Sequence, residues 1–362
     1  MPSRRKINIA LVGLGLGAAF IPIYQNHPHA RVHAICQRRR DRLDAIGEAF
    51  GIERRFDDYA AMLMDPEIDA VHINTGIADH AWMTLAALKA GKHAACAAPM
   101  AATLADCKKI ADAVRASGLR YMMMEAAVHS REHLFIKELH ATGKLGKLQF
   151  LQASHQQDMD GCPDGWAGLP PMWHATHCVG PLLALAGQPA EYVSCFGSGT
   201  LRSGLIKHYE SPFAVETTHI KIAQSDLTAR VVRSLFDVAR QGRESIDVYG
   251  TKRSFEWALT EDGQHVLHTA KKPEPKIPER ITVPDFAHRL PKAIRECTTT
   301  QGGRHSGSYP HLAHEFVSAI VEGRDPFPNA IQSANWTAAG LCAHQSALKG
   351  GAIIKLPAWT LG

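Results

Sequence analysis

The first 125 residues alternate short, almost continuously apolar runs with amphipathic windows. The runs at 7–12, 32–36, 70–73, 93–96 and 121–124 are predicted strands whose unbroken apolar character suits burial on both faces. The windows 17–25, 41–50, 59–63, 79–89 and 105–117 repeat apolar residues at helical spacing, with Asp41, Asp79 and Thr103 placed as N-caps. Strand and helix in steady alternation predict a parallel, doubly wound sheet.

After about residue 125 the rhythm changes. A helix over 131–142 precedes a long strand over 147–156, a loop over 158–172 rich in Gly, Pro and Trp, and a helix from about 174 to 186. Longer, alternating strands are predicted at 192–199, 215–223, 229–236, 244–249 and 254–258, and helices over 309–322 and 331–349 close the chain. The prolines at 273, 275, 278 and 284 mark an extended surface connector. The expected organisation is therefore α/β: a dinucleotide-binding domain over 1–124, then an α+β domain over 125–362 with a large, mostly antiparallel sheet for substrate binding and oligomerisation.

Composition narrows the function classes. A chain of 362 residues with 45% hydrophobic and 21% charged positions is globular and long enough for two cores. Forty Lys+Arg against 35 Asp+Glu give +5, spread without a long basic block, so no nucleic-acid partner is expected. Ser3 to Lys6 ahead of 7–12 imitates a targeting segment, but the apolar run breaks at Gly13, Gly15 and Gly17. No stretch nears the roughly 18 apolar residues of a membrane span, and a cytoplasmic protein is expected. Twenty-one His could lift the charge well above +5 in mild acid. Eight Cys show neither CxxC nor zinc spacing, so they are expected as buried or free thiols, with no metal.

The sharpest local signal is Gly13-Leu14-Gly15-Leu16-Gly17-Ala18 between the first strand and the first helix. Gly13 permits a tight turn, Gly15 lets backbone approach a pyrophosphate, and Ala18 allows close helix–sheet contact, with a helix N-terminus facing the anion. Where an NAD site normally carries an acid, after the second strand, the sequence is Gln37-Arg38-Arg39-Arg40. Gln37 can bond a ribose hydroxyl and the arginines could pair with a 2′-phosphate, so NAD is expected and NADP stays open.

With Asn74-Thr75 and His80 after the third strand, Gly91-Lys92-His93 leading into Cys96 to Pro99, and a helix-borne His177, the chain resembles the Gfo/Idh/MocA superfamily of NAD(P)-dependent oxidoreductases over nearly its whole length. The resemblance implies an N-terminal Rossmann domain, a C-terminal α/β domain with a large antiparallel sheet, and assembly as a homodimer or homotetramer through that sheet's apolar outer face. The cofactor contacts it implies are Gly13, Gly15, Leu16, Gly17, Gln37, Arg38, Asn74, Thr75, His80, Cys96, Ala97 and Trp166. Two signatures differ. The family's Glu-Lys-Pro is Ala97-Ala98-Pro99 here, and the Asp four residues before the histidine is Trp173, so neither the lysine's nor that acid's role carries over.

Oxidising a secondary alcohol needs a base for the hydroxyl proton, and His177 is the candidate. Glu125, His129 and Arg131 follow the fifth strand, where ligands meet the carboxyl ends of parallel strands; the first two join His177 as catalytic candidates. Gln156, Gln157, Asp158, Trp173, His174, Arg131 and Arg304 are the expected substrate contacts, because hydroxyl-bearing rings need polar partners and apolar plates. Loss of the lysine beside a rich His/Glu/Arg set resembles the redox-neutral, NAD-dependent glycosidases of the superfamily, in which oxidation at carbon 3 of a sugar enables elimination at carbon 1. An anionic sugar would suit the arginines. A plain sugar, glycoside or inositol dehydrogenase is the alternative, and a silent dinucleotide-dependent sensor the third.

Overall fold

The computed structural model describes residues 5–162, 164–270, 278–300, 305 and 307–359. In its first part β1 (Ile7–Val12), β2 (Ala30–Cys36), β3 (Arg54–Phe56), β4 (Ala70–Ile73), β5 (His93–Ala97) and β6 (Tyr121–Met124) form one parallel sheet in the order β3-β2-β1-β4-β5-β6. The order reverses between β1 and β4, the switch point at which doubly wound sheets bind ligands.

The connecting helices are α1 (Ile21–Asn26), α2 (Arg40–Ala49), α3 (Tyr59–Leu63), α4 (Ile77–Lys89) and α5 (Leu104–Ser117). Thr103 caps α5 as expected, accepting the Asp106 N–H at 3.1 Å. Asp41 and Asp79 instead fall inside the first turns of α2 and α4, where a negative charge still favours the helix N-terminus. The first predicted helix also differs: Gly17–Phe20 is a 3-10 turn, and α1 begins only at Ile21. Pro22 has no N–H to give the Ala18 carbonyl, which accepts from Ile21 in a tighter bond.

The second part contains α6 (Arg131–Ala141), β7 (Leu148–Gln156), α7 (Thr176–Ala186), β8 (Ala190–Ser198), α8 (Ser203–Tyr209), β9 (Val215–Ile222), β10 (Thr228–Ser234), β11 (Arg243–Gly250), β12 (Arg253–Glu256), β13 (His265–Thr269) and β14 (Glu279–Ile281). With β15 (Ile354–Lys355) the strands build a nine-stranded sheet, antiparallel except for the β7/β10 pair. Strand alternation sends Leu151, Ala153 and His155 of β7 to the buried face and Gln152, Ser154 and Gln156 to the other. That outer face is not the apolar surface expected from the sequence. Arg230 donates to Gln152 (2.8 Å) and Gln152 to Asp247 (2.9 Å), so polar side chains satisfy one another across the strands.

The chain forms two compact units, one taking everything up to Ser130 together with Asp285–Ala334, the other Arg131–Pro284 together with Asn335–Trp359. The residues after 284 are divided between the two units. Helices α9 (Cys297–Thr300) and α10 (Ser308–Glu322) fall in the first unit, and α11 (Ala330–Leu348) lies mostly in the second. The reason is apolar burial. Leu290, Ile294, Leu312, Phe316 and Val317 join one core with Ile9, Leu11, Ile23 and Ile35, and Tyr309 stacks on Phe20 at 4.5 Å. Among the described residues no helix is long and apolar enough to cross a membrane.

Candidate functional site

In the first unit β1 is followed by Gly13, which has φ +80° and stands so close to the end of β4 that a Cβ would lie 2.3 Å from the Asn74 carbonyl oxygen. Only glycine lets the two strand ends close this way. The contact is fixed by Gly13 N–H to the Cys36 carbonyl (3.0 Å) and Asn74 N–H to the Val12 carbonyl (2.7 Å). Gly15 differs, since a Cβ there would meet nothing within 4 Å. Beside the turn the buried Asn74 Nδ2 has no hydrogen-bond partner among the described residues. Open space over bare backbone and an unused donor at the switch point fit a pyrophosphate and ribose.

The neighbouring side chains divide by role. Leu16 is 75% exposed at the tip of the turn. Arg39 pairs with Asp41 at 2.5 Å, and Arg40 with Asp44 (3.0 Å) and Asp57 (3.7 Å). Arg38 is exposed and pairs with no acid among the described residues, and Gln37 anchors its main chain on the Phe56 carbonyl (3.0 Å). His80 is buried with Nδ1 2.7 Å from the Pro99 carbonyl and Nε2 3.2 Å from that of Thr75, bracing the loops after β4 and β5. Burial lowers its pKa, while the two carbonyls act in the opposite direction. Burial also pushes the Cys96 thiol up to about 12; Cys96 can offer a ligand only its main chain.

In the second unit the 3-10 turn Pro171–His174 leads into α7. The rings of His174 and His177 meet edge to face at 4.9 Å, His155 lies 5.3 Å from His177, and Trp166 stands edge-on to His174 at 4.9 Å. Pro181, four residues after His177, cannot donate the helical N–H that the His177 carbonyl would accept. The turn is pinned from below: Met172 N–H donates to Glu216 Oε2 (2.8 Å), and Oε1 of this fully buried carboxylate lies 2.6 Å from His344 Nδ1. Gly340 lets α11 approach, since a Cβ there would be 2.2 Å from the Met172 oxygen. Arg233, fully buried, bonds to His174, His155 and Gln157.

The sequence profile of the Gfo/Idh/MocA oxidoreductases, a family with an NAD-binding Rossmann fold, matches residues 7–125. These residues belong to that family. A dTDP-3,4-didehydro-2,6-dideoxy-alpha-D-glucose 3-reductase of Streptomyces violaceoruber is 31% identical over 134 residues, covering 37% of this chain and 39% of its own. The glycosyl hydrolase family 109 protein 1 of Shewanella sp. (strain ANA-3) is 22% identical over 263 residues, 65% of this chain and 57% of its own length. The chain thus spans well under two thirds of these curated relatives. A levoglucosan dehydrogenase solved with NADH and L-sorbose shares the fold, with a TM-score of 0.81 at 19% identity over 98% of this chain and 100% of that one.

Against this family frame the remaining expected residues fall into place or out of it. Trp166, expected at the cofactor, stands at His174, and Trp173 packs edge-on to Tyr209 (5.7 Å) and His344 (6.1 Å). Gln157 accepts from Arg233 at 2.5 Å, whereas Gln156 is one residue out of phase and points to the outer face of the sheet. Asp158 is exposed and accepts from Gln241 at 2.8 Å. Glu125 has no exposed surface; its Oε1 accepts the Ala127 N–H (3.1 Å) as the cap of a 3-10 turn. His129 places Nε2 3.0 Å from the Phe327 carbonyl. Each of these two therefore makes a hydrogen bond inside the first unit, Glu125 to its own 3-10 turn and His129 to the Phe327 carbonyl. Arg131 is engaged by Glu132 at 2.9 Å, and Arg304 lies outside the described residues.

Arg233, Glu216, His155 and His344 escaped the sequence reading. A signal was there for the first three: each is a polar residue at the parity of its strand's buried positions, beside Val231, Thr218 and Ala153 respectively.

Proposed function

We propose that the protein is an NAD-dependent carbohydrate oxidoreductase that oxidises a secondary ring hydroxyl, with His177 as the base. The observation that carries this reading is the imidazole cluster of the second unit, held by a buried guanidinium, in a chain whose first unit is of an NAD-binding family. Bound NAD supplies the acceptor for the hydride that leaves the carbinol carbon. His177 takes the hydroxyl proton, Trp166 and Trp173 offer apolar faces to a ring, and Gln157 is oriented by Arg233. Gln37 meets the ribose, and Arg38, the arginine without an acid partner among the described residues, sits where a 2′-phosphate would be read; NAD is the cofactor that the family favours.

Within that class the placements of Glu125 and His129 favour a plain sugar or cyclitol dehydrogenase, because elimination of an aglycone needs acid/base groups beyond His177. The redox-neutral glycosidase is the second reading, favoured by the 263-residue similarity to a family 109 glycosyl hydrolase. Arg131 is engaged by Glu132, which weakens the case for an anionic sugar. Copies of the chain are proposed to associate through the outer face of the nine-stranded sheet, by polar contacts.

One plate tests the activity: purified protein, free sugars, cyclitols and nitrophenyl glycosides, with and without added NAD+. The expected outcome is NADH in proportion to substrate with no aglycone released, and a loss of about 10²- to 10⁴-fold in kcat for His177→Ala. Aglycone release many-fold above cofactor reduction would establish the glycosidase instead.

A further inference from the structure

We infer that Arg233 is a positioning residue that locks His174 as a neutral ring protonated on Nε2, so that His174 donates a hydrogen bond to a substrate oxygen and His177 alone takes the proton; the donor role rests on the oxidation proposed above. The geometry is direct. Nη2 of Arg233 lies 2.9 Å from His174 Nδ1. A guanidinium nitrogen only donates, so Nδ1 is the acceptor and carries no proton. The single proton of the neutral ring is then on Nε2, and an imidazolium would set N–H against N–H.

The same guanidinium holds the residue at both ends. Its Nε donates to the His174 carbonyl (2.9 Å), while Nη1 donates to the His155 carbonyl (2.7 Å) and Nη2 to Gln157 Oε1 (2.5 Å). Arg233 has no exposed surface, at a strand position whose neighbours of equal parity are Val231 and Ala229. Burying a charge there is costly unless its donors are used, and a planar fork serves several acceptors at once where the ammonium of a lysine could not. Among the described residues, the titratable and charged groups about His174 include Arg233 on β10, His177 on α7, His155 on β7 next to His177, and the Glu216–His344 pair that pins the turn at Met172. Arg233 opposes a second positive charge on His174, and the carboxylate that would favour one is matched to His344.

The test uses the whole protein with 15N-labelled histidine. Long-range 1H–15N correlation, with His174 assigned by its loss in His174→Gln, is expected to show an unprotonated Nδ1 and a protonated Nε2, unchanged from about pH 5 to pH 8. A proton on Nδ1, or titration in that interval, overturns the proposal. The spectrum needs no substrate and so stands apart from the catalytic reading. With a carbohydrate substrate in hand, His174→Gln, whose amide nitrogen reaches the Nε2 position, should keep kcat within about tenfold, and His174→Asn should lose about 10²-fold. Equal losses, or a second ionisation in the acid limb of the wild-type kcat–pH profile, overturn the division of roles. Arg233→Lys, if it folds, should let His174 titrate within that interval; a locked tautomer surviving in it would show that another group does the work.

Discussion

His72 lies fully buried in the first sheet with Nδ1 3.1 Å from the Tyr24 hydroxyl, and burial drives its pKa down to about 3. Burial, with His314, His29 and Lys6 adding to it, takes His27 to about 3, and burial with the nearby His129 and His314 takes His311 to about 4. These three buried histidines therefore do not add to the charge in mild acid in the folded state, as composition alone suggests they would. The linkage follows from the direction of the shifts. Unfolded histidines bind protons near pH 6.5 and these do not, so stability present above about pH 6.5 is lost as pH falls toward 4. The thermal midpoint should drop steadily over that interval, and His311→Gln should flatten the slope. A midpoint independent of pH between those values would show that these rings are not held neutral. Residue type alone hides all this, because a histidine in a strand core and one on a surface are the same letter.

At the scale of elements, the glycine turn separates packing from binding within three residues. Gly13→Ala places a Cβ 2.3 Å from the Asn74 oxygen at φ +80°, so it should cost about 1–3 kcal/mol in denaturant unfolding from strain alone. Gly15→Ala meets no atom within 4 Å and should leave unfolding unchanged within about 0.5 kcal/mol. Its methyl group would stand where a ligand approaches the backbone, so NAD should bind about tenfold more weakly by fluorescence titration, the worth of a hydrogen bond to a charged group. Equal NAD affinity in Gly15→Ala and wild type would move the phosphate site elsewhere. Strands β1, β4 and β6 were legible to the residue because their apolar runs end at glycine or polar residues. Arg54–Phe56, Ser203–Tyr209, His265–Thr269 and Glu279–Ile281 were not, being short or too polar for periodicity to resolve.

For the whole molecule, the outer face of the nine-stranded sheet sets the expectation for assembly. Rows such as Arg230–Gln152–Asp247 are hydrogen-bonded and polar, so a dimer or tetramer formed there should weaken as salt rises. Sedimentation at low and high salt, with Arg230→Glu as a second probe, checks this. An assembly indifferent to both would rest on another surface.

The sequence by itself determined the doubly wound first sheet and the glycine turn, because each depends on residues close in the chain. Tertiary structure decided the rest. Glu125 and His129 follow a strand end as catalytic groups do, yet one caps a 3-10 turn and the other meets a carbonyl 198 residues away. Arg233 reaches the cluster from 59 residues beyond His174, and Glu216 and His344 meet across 128. Local pattern states which face a side chain takes; only the folded chain brings a distant donor to the nitrogen it fixes.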